Sequence, residues 1–340
     1  MREKTLQWGM ISTHRQEIMG IACLWVIFHH NTFDWPSALW LVRKLATYGN
    51  AGVDIFLFLS GISLCFAYQK KPKLRTFYQR RIVRLIVPYL LLAVPYWIWR
   101  DLYLQKGNFL LDVTMLSFPL EGVITTWYVG AILVFYLAFP LIYKLYYETD
   151  RICGVPVSRK TTMILVPAFM AAVCFGMMYL CPELYDHIEI GLTRSVIFLI
   201  GCAAGQRVFR KEPMGSEWLW ISGVFLGFYL LVFRTTVRLP DYWIRMTYAP
   251  TAVSLVLLLT WILSIVSWKP LKRVLVYFGD RSLELYLAHV LLKNVYLQYI
   301  PTPVLDRWGV LDYTIVVAVS MVIGEAVHQL SKKISGAILR

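Results

Sequence analysis

Charge is scarce in this chain. Only 16% of its 340 residues are Asp, Glu, Lys or Arg, and the acidic ones number 20 against 34 basic ones. Soluble globular domains carry about 25% charged residues, so a wholly soluble protein is excluded. Internal repeats and low-complexity tracts are absent, and no polar stretch is long enough for a second domain, so one domain over 1–340 is expected. Residues 1–15 are polar and lack the apolar core and cleavage site of a removable leader. The six cysteines show no CxxC or CxxH spacing, which indicates neither a disulfide framework nor a zinc site, and no metal is expected. Cys23, Cys65, Cys174 and Cys202 fall in apolar runs, Cys153 in an inner loop, and Cys181 outside. The net charge of +14 comes without a docking motif or basic face, so nucleic acid is not an expected partner.

What fills the chain is hydrocarbon. It is 58% hydrophobic and 15% aromatic, with a mean hydropathy of +0.58. The apolar runs do not alternate as barrel strands would. They predict membrane-crossing helices, each of which satisfies its own backbone in lipid. Ten spans are expected, over 17–34, 51–68, 85–104, 127–145, 162–181, 192–208, 217–235, 248–267, 276–296 and 310–330, making an all-α polytopic helical bundle. With the N-terminus in the cytoplasm, the inner segments hold about 24 of the 34 Lys and Arg residues, the positive-inside bias, which predicts N-in and C-in. The basic loops also suit contact with anionic membrane lipid.

Ionisable residues inside such spans are functional candidates, because an apolar setting makes them expensive to keep. His29 and His30 lie near the outer end of the first span, and Asp54 near the outer start of the second. A histidine and a carboxylate at matching depth are the parts of a general base and its orienting partner. Successive helical residues point about 100° apart, so only one histidine faces a given site. An interfacial histidine and a helix-capping aspartate are the plain alternatives. Before the third span come Lys70, Lys71, Lys73, Arg75, Arg80, Arg81 and Arg84. Topology explains the lysines, whereas Arg80, Arg81 and Arg84 at i, i+1, i+4 offer guanidinium forks to a phosphate-rich ligand. The ninth span carries Ser282, Glu284 and His289, more polar groups than packing requires, which points to a lined cavity. Trp127 and Tyr128 are interfacial belt aromatics or a sugar-stacking wall. Arg194, at the outer start of the sixth span, snorkels to the surface or meets the acceptor.

Met19-Gly20-Ile21-Ala22 leading to His30, Gly52-Val53-Asp54-Ile55-Phe56-Leu57-Phe58-Leu59-Ser60-Gly61, Phe77-Tyr78-Gln79-Arg80-Arg81-Ile82-Val83-Arg84 with Pro88-Tyr89, Trp127-Tyr128 followed by Phe139-Pro140, and Ser282-Leu283-Glu284-Leu285-Tyr286-Leu287-Ala288-His289 occur in this order. Together they resemble the acyltransferase 3 family of integral-membrane O-acyltransferases, in its stand-alone form. The resemblance implies a plasma-membrane enzyme (the inner membrane of a bacterium). It would take an acyl group, usually acetyl, from cytoplasmic acyl-CoA to a hydroxyl of an extracytoplasmic glycan, lipid-linked sugar or other surface acceptor. Acyl-CoA is then a substrate, and no permanently bound cofactor is expected. By position His30 resembles the family's catalytic histidine, with His29 second. Many relatives carry an arginine eleven residues earlier, where this chain has Met19, and Arg15 lies one turn before that. The implied layout puts Arg75, Arg80, Arg81 and Arg84 on the coenzyme phosphates, His30 and Asp54 at the chemistry, Glu284 and His289 along the passage, and Trp127, Tyr128 and Arg194 toward the acceptor. The rival class is a proton-coupled exporter without chemistry, which buried His and Glu also suit. The missing inverted repeat speaks against it.

Overall fold

A computed structural model describes residues 6–30, 40–70, 73–152, 154–234, 241–300 and 302–339, with the side chains of 228–241 and 302–311 excepted. The tail of the expected first span (31–34), Lys71 and Cys153 lie outside the described residues.

The chain is almost entirely helical. A short α1 (Gly9–Thr13) leads into α2 (Arg15–His29), which carries the histidine pair at its far end. Next come α3 (Trp40–Thr47) and α4 (Ala51–Gln69), the latter apolar on every side and correspondingly buried. α5 (Leu74–Trp97) contains Pro88 and Pro95 and runs on into a wider π-helical turn over 98–103. The short α6 (Phe109–Val113) and α7 (Ser117–Glu121) precede α8 (Trp127–Tyr147). A two-residue hairpin, β1 (Arg151–Ile152) with β2 (Val155–Pro156), joins α8 to α9 (Arg159–Leu180). α10 (Pro182–Leu192), α11 (Ser195–Phe209), α12 (Glu217–Arg234), α13 (Asp241–Ile265), α14 (Lys269–Asp280), α15 (Ser282–Tyr299) and α16 (Thr302–Ile338) complete the bundle.

Seven helices or helix pairs among the described residues are long and apolar enough to cross a membrane, so the protein is an all-α polytopic bundle. α2, α12 and α15 are expected spans outside those seven. The reason is informative for α15, which gives up hydropathy to Glu284, His289 and Lys293. The expected span 276–296 is two helices. The chain breaks at Arg281, whose guanidinium pairs with Glu325 of α16, and α14 instead packs along α2.

Close backbone approach fixes the two contacts that matter for the site. Gly61 of α4 lies so near α11 that an added methyl would come within 2.6 Å of the Phe198 carbonyl oxygen. Gly20 of α2 and Gly279 of α14 each face the other helix's backbone, at Leu275 and Gln16. Small residues of this kind let membrane helices gain dispersion contact where lipid gives no hydrophobic drive. Near the end of α8, Tyr146 and Tyr147 hydroxyls donate to the carbonyls of Leu199 (3.2 Å) and Cys202 (2.6 Å), tying α8 to α11.

The basic segments converge at one end. Met214 N–H donates to the Leu6 carbonyl (2.8 Å), and the Gln79 amide reaches the Ile338 carbonyl (3.4 Å). The N-terminus, the start of α5, the turn after α11 and the end of α16 therefore share a face, called here the basic end.

Gly20→Val should force α2 off α14. Overpacking costs typically about 1–3 kcal/mol, so thermal unfolding in detergent should shift down by several degrees, whereas Gly176→Val, where an added Cβ meets nothing within 4 Å, should leave it unchanged.

Candidate active site

Two histidines from helices far apart in sequence meet where α2 ends. His30, the first residue past α2, and His289 of α15 are joined by a 2.7 Å hydrogen bond between His30 Nδ1 and His289 Nε2. His289 is fully buried, and its Nδ1 lies 2.8 Å from the Leu285 carbonyl oxygen one turn back. A carbonyl only accepts, so His289 Nδ1 carries the proton and its Nε2 is an acceptor. His30 Nδ1–H must then donate to it, leaving the lone pair of His30 Nε2 unengaged. The protonation pattern is assigned from this network. One turn further along α15, Lys293 Nζ donates to the His30 carbonyl (2.8 Å), closing the C-terminus of α2. Leu285, His289 and Lys293, at i, i+4, i+8, form one stripe of α15 facing that helix end.

His29 points elsewhere. Its Nδ1 lies 3.1 Å from the Ala46 carbonyl, so it braces the α3–α4 corner. Asp54 is not the orienting partner of His30. Its carboxylate, 1% exposed in the first turn of α4, forms an ion pair with Arg194 Nε at 3.3 Å. Arg194 neither snorkels nor reaches the surface. It is 5% exposed, donates to the Ile190 carbonyl (3.0 Å), and lies 5.3 Å from the Trp127 ring. The physical reason is charge balance. A buried carboxylate needs a full counter-charge, which a neutral imidazole cannot supply. Trp127 is likewise buried against this pair, so it is neither a belt residue nor an open stacking wall.

Tyr128 faces inward instead, onto a narrow cavity of about 120 Å³. One wall is the α8 stripe Tyr128, Ile132 and Tyr136; the opposite one includes Ser282 and Tyr286 of α15. Arg15 and Met19 of α2, one turn apart, also line it. Tyr286 is the link to the histidines, with its ring centroid 6.4 Å from that of His30 and 5.8 Å from that of His289. The cavity thus runs from Arg15 to Tyr286, the neighbour of the pair, without either histidine in its lining; Arg15 and His30 are fifteen residues apart, about 22 Å along a helix.

At the basic end Arg15 also lines two wider cavities. One, about 330 Å³, is lined by Arg81 and Arg84 together with Ser12 and Ser63. The other, about 550 Å³, lies between α2, α14, α15 and α16 and again includes Arg84. Arg80 and Arg75 are exposed on the same helix, and neither lines these cavities. Glu284 is at this end too, accepting from His328 Nδ1 of α16 (3.1 Å), so it serves the mouth and not the histidine pair.

Sequence reasoning therefore missed Lys293, Tyr286 and His328, and read Arg15 as the cytoplasmic mouth from its fifteen-residue spacing to His30. The i, i+4 spacing of His289 and Lys293 was a usable signal. His328 gave none, because its partner Glu284 is 44 residues away.

The Asp54–Arg194 pair sets up a separable test. Removing one partner of a buried ion pair costs about 3–5 kcal/mol. Asp54→Asn should lose thermal stability on that scale, and Asp54→Asn with Arg194→Met should recover much of it. Wild-type melting of Asp54→Asn with lost turnover would instead place Asp54 in the chemistry.

No curated protein and no solved structure matches this chain. A family model does, the acyltransferase domain of the acyltransferase 3 family, over residues 19–328. That range spans nearly the whole chain and encloses both histidines, the buried ion pair and the arginines of α5. On this match, and with its bundle of membrane-crossing helices, the chain belongs to the acyltransferase 3 family and is a multi-pass membrane acyltransferase.

Proposed function

We propose that the protein moves an acetyl group from cytoplasmic acetyl-CoA to a hydroxyl of an extracytoplasmic glycan or lipid-linked sugar, across the plasma membrane. The observation that carries this reading is a cavity that runs from Arg15, shared with the arginine-lined cavity of the basic end, to Tyr286, whose ring neighbours an imidazole with a free lone pair. A donor with an anionic head and a slender arm fits that shape. The head stays with Arg15, Arg81 and Arg84, and the arm passes Met19 and Ser282 toward Tyr286. A volume of about 120 Å³ favours a short acyl group at the arm's tip.

In this mechanism His30 Nε2 accepts the proton of the acceptor hydroxyl as its oxygen attacks the thioester carbonyl. The new C–O bond forms, the C–S bond breaks, and the proton passes from Nε2 to the departing thiolate. His289 is a positioning residue. By accepting from His30 Nδ1 it holds the ring, selects the tautomer, and stabilises the transient imidazolium. The donor is a substrate that comes and goes, and the scheme calls on no resident cofactor. The family's acyltransferase character favours this scheme over export without chemistry.

Membranes given radiolabelled acetyl-CoA should release CoA and label surface glycan. A general base supplies roughly 10²–10⁴-fold in rate, so His30→Ala should lose turnover on that scale, while His29→Ala should stay within a few-fold of wild type. His289→Leu should lower kcat with little change in KM for the donor. His289→Gln, whose amide oxygen can accept from His30 Nδ1, should restore part of it. Equal damage from both His289 variants would mean that the ring only fills space.

The arginines divide differently from the sequence expectation. A charge-assisted hydrogen bond is worth about 1.5–3 kcal/mol, so Arg81→Ala and Arg84→Ala should raise the donor KM by roughly 10- to 100-fold. Arg75→Ala and Arg80→Ala should change it little. A uniform loss across all four would point to attraction by the whole basic surface instead.

A further inference from the structure

Behind the α8 wall of the passage lies a second, larger space. α8 lines the passage with Tyr128, Ile132 and Tyr136. Gly130, Val134 and Ala138 of the same helix line a cavity of about 500 Å³, enclosed with the α6–α7 link, α9, α10 and α11. The back of this cavity is deep in the bundle, where Phe198 and Leu199 of α11 are buried. Small residues hold it open, since Gly130, Ala131 and Ala138 of α8 and Gly191 of α10 stand where larger side chains would fill the gap.

Its lining excludes a polar occupant. No charged side chain is among the described residues that line it. The two hydroxyls there already donate within their own helical turns, Thr114 Oγ1 to the Leu110 carbonyl (2.5 Å) and Ser195 Oγ to the Leu192 carbonyl (2.6 Å). A buried water needs about two to four polar partners, and no unpartnered side-chain atom of the described residues lies in this lining. Hydrocarbon is what fits. The mouth identifies its source. Leu116 and Val134, both in the lining, are 50% and 59% exposed. Val134, Leu137 and Leu141, at i, i+3, i+7, form one exposed apolar stripe of α8, a membrane-crossing helix. The cavity is therefore continuous with the lipid-facing surface. Along α8 it reaches from Gly130 to Ile142, about 18 Å of helix. Each leaflet contributes roughly 15 Å of hydrocarbon. We propose that this cavity seats one acyl chain of a bilayer phospholipid, threaded between α8, α9, α10 and α11 from the lipid-facing surface. Without a cation in the lining, the seat recognises the chain and not the phosphate. It is independent of the donor that occupies the passage.

The test uses the purified full chain in nanodiscs of phosphatidylethanolamine and phosphatidylglycerol, doped with a phosphatidylcholine that carries a diazirine in its acyl chain. After photolysis, peptide mass spectrometry should find label on Met115, Phe135 and Met170 of the lining as well as on the exposed stripe of α8. Gly130→Phe should remove the label from the lining and leave the stripe labelled. The backbone accepts this change, because an added Cβ at Gly130 meets only the Met115 side chain, at 3.6 Å. Ala138→Phe is a second plug, placed two turns further along α8, and should act in the same way. Gly176→Phe on α9, outside the lining and with nothing within 4 Å of an added Cβ, should change neither pattern. Label confined to the stripe in the wild type, or label in the lining that survives both plugs, would overturn the seat. Loss of the label to an equal amount of a polyprenyl phosphate would also overturn it, and would give the cavity to a prenyl chain.

Discussion

One hydrogen bond, from His289 Nδ1 to the Leu285 carbonyl (2.8 Å), sets the protonation logic of the whole centre. It lies within a single helix and needs nothing from the rest of the bundle except that α15 remain helical. Because that proton is committed, His289 meets His30 as an acceptor, and His30 keeps a basic nitrogen. The remaining architecture delivers the second ring to the first. Lys293 and Tyr313, from α15 and α16, cap the carbonyls of His30 and Ile27 at the end of α2. The glycine contact between α2 and α14 fixes the helix at its other end.

Three of the charge pairs among the described residues each join two helices. Asp54 with Arg194 ties α4 to the start of α11, Glu284 with His328 ties α15 to α16, and Arg281 with Glu325 pins the α14–α15 break to α16. In a low dielectric an unpaired member would be costly, so such pairs constrain helix register as well as lowering energy. A titratable residue in a span is thus as easily a fastening as a reagent, and only its partner distinguishes the two.

That distinction sets the limit of what could be read from the chain alone. The apolar runs announced the bundle, since hydropathy is a local property. α4, α8, α9 and α11 fall within a few residues of their expected spans. His30 stood out through its place at a helix end, and His29, about 100° further round, meets the Ala46 carbonyl instead. Asp54 was misread because depth along a span is visible in sequence but azimuth and partner are not. Arg194, 140 residues on, was the answer to its charge, and no periodicity links the two. The stretch 276–296 hid a break because Gly279-Asp280-Arg281 reads as an ordinary polar end of a span until Glu325 is seen opposite. Lys293 was legible from its spacing, one turn beyond His289.

The narrowness of the passage between Arg15 and Tyr286 bears on the membrane as much as on the reaction. Any protein with substrates arriving from both faces risks becoming a conduit for protons and salts. At about 10–15 Å³ of such space per water molecule, about 120 Å³ admits a short file of roughly ten waters. Met19, Val53, Phe56, Leu85 and Ile132 line it with hydrocarbon, while Ser60, Tyr128, Tyr136, Ser282 and Tyr286 bring hydroxyls to it. On the proposed reading a bound donor arm displaces that water, so the passage is closed to small ions while it is in use.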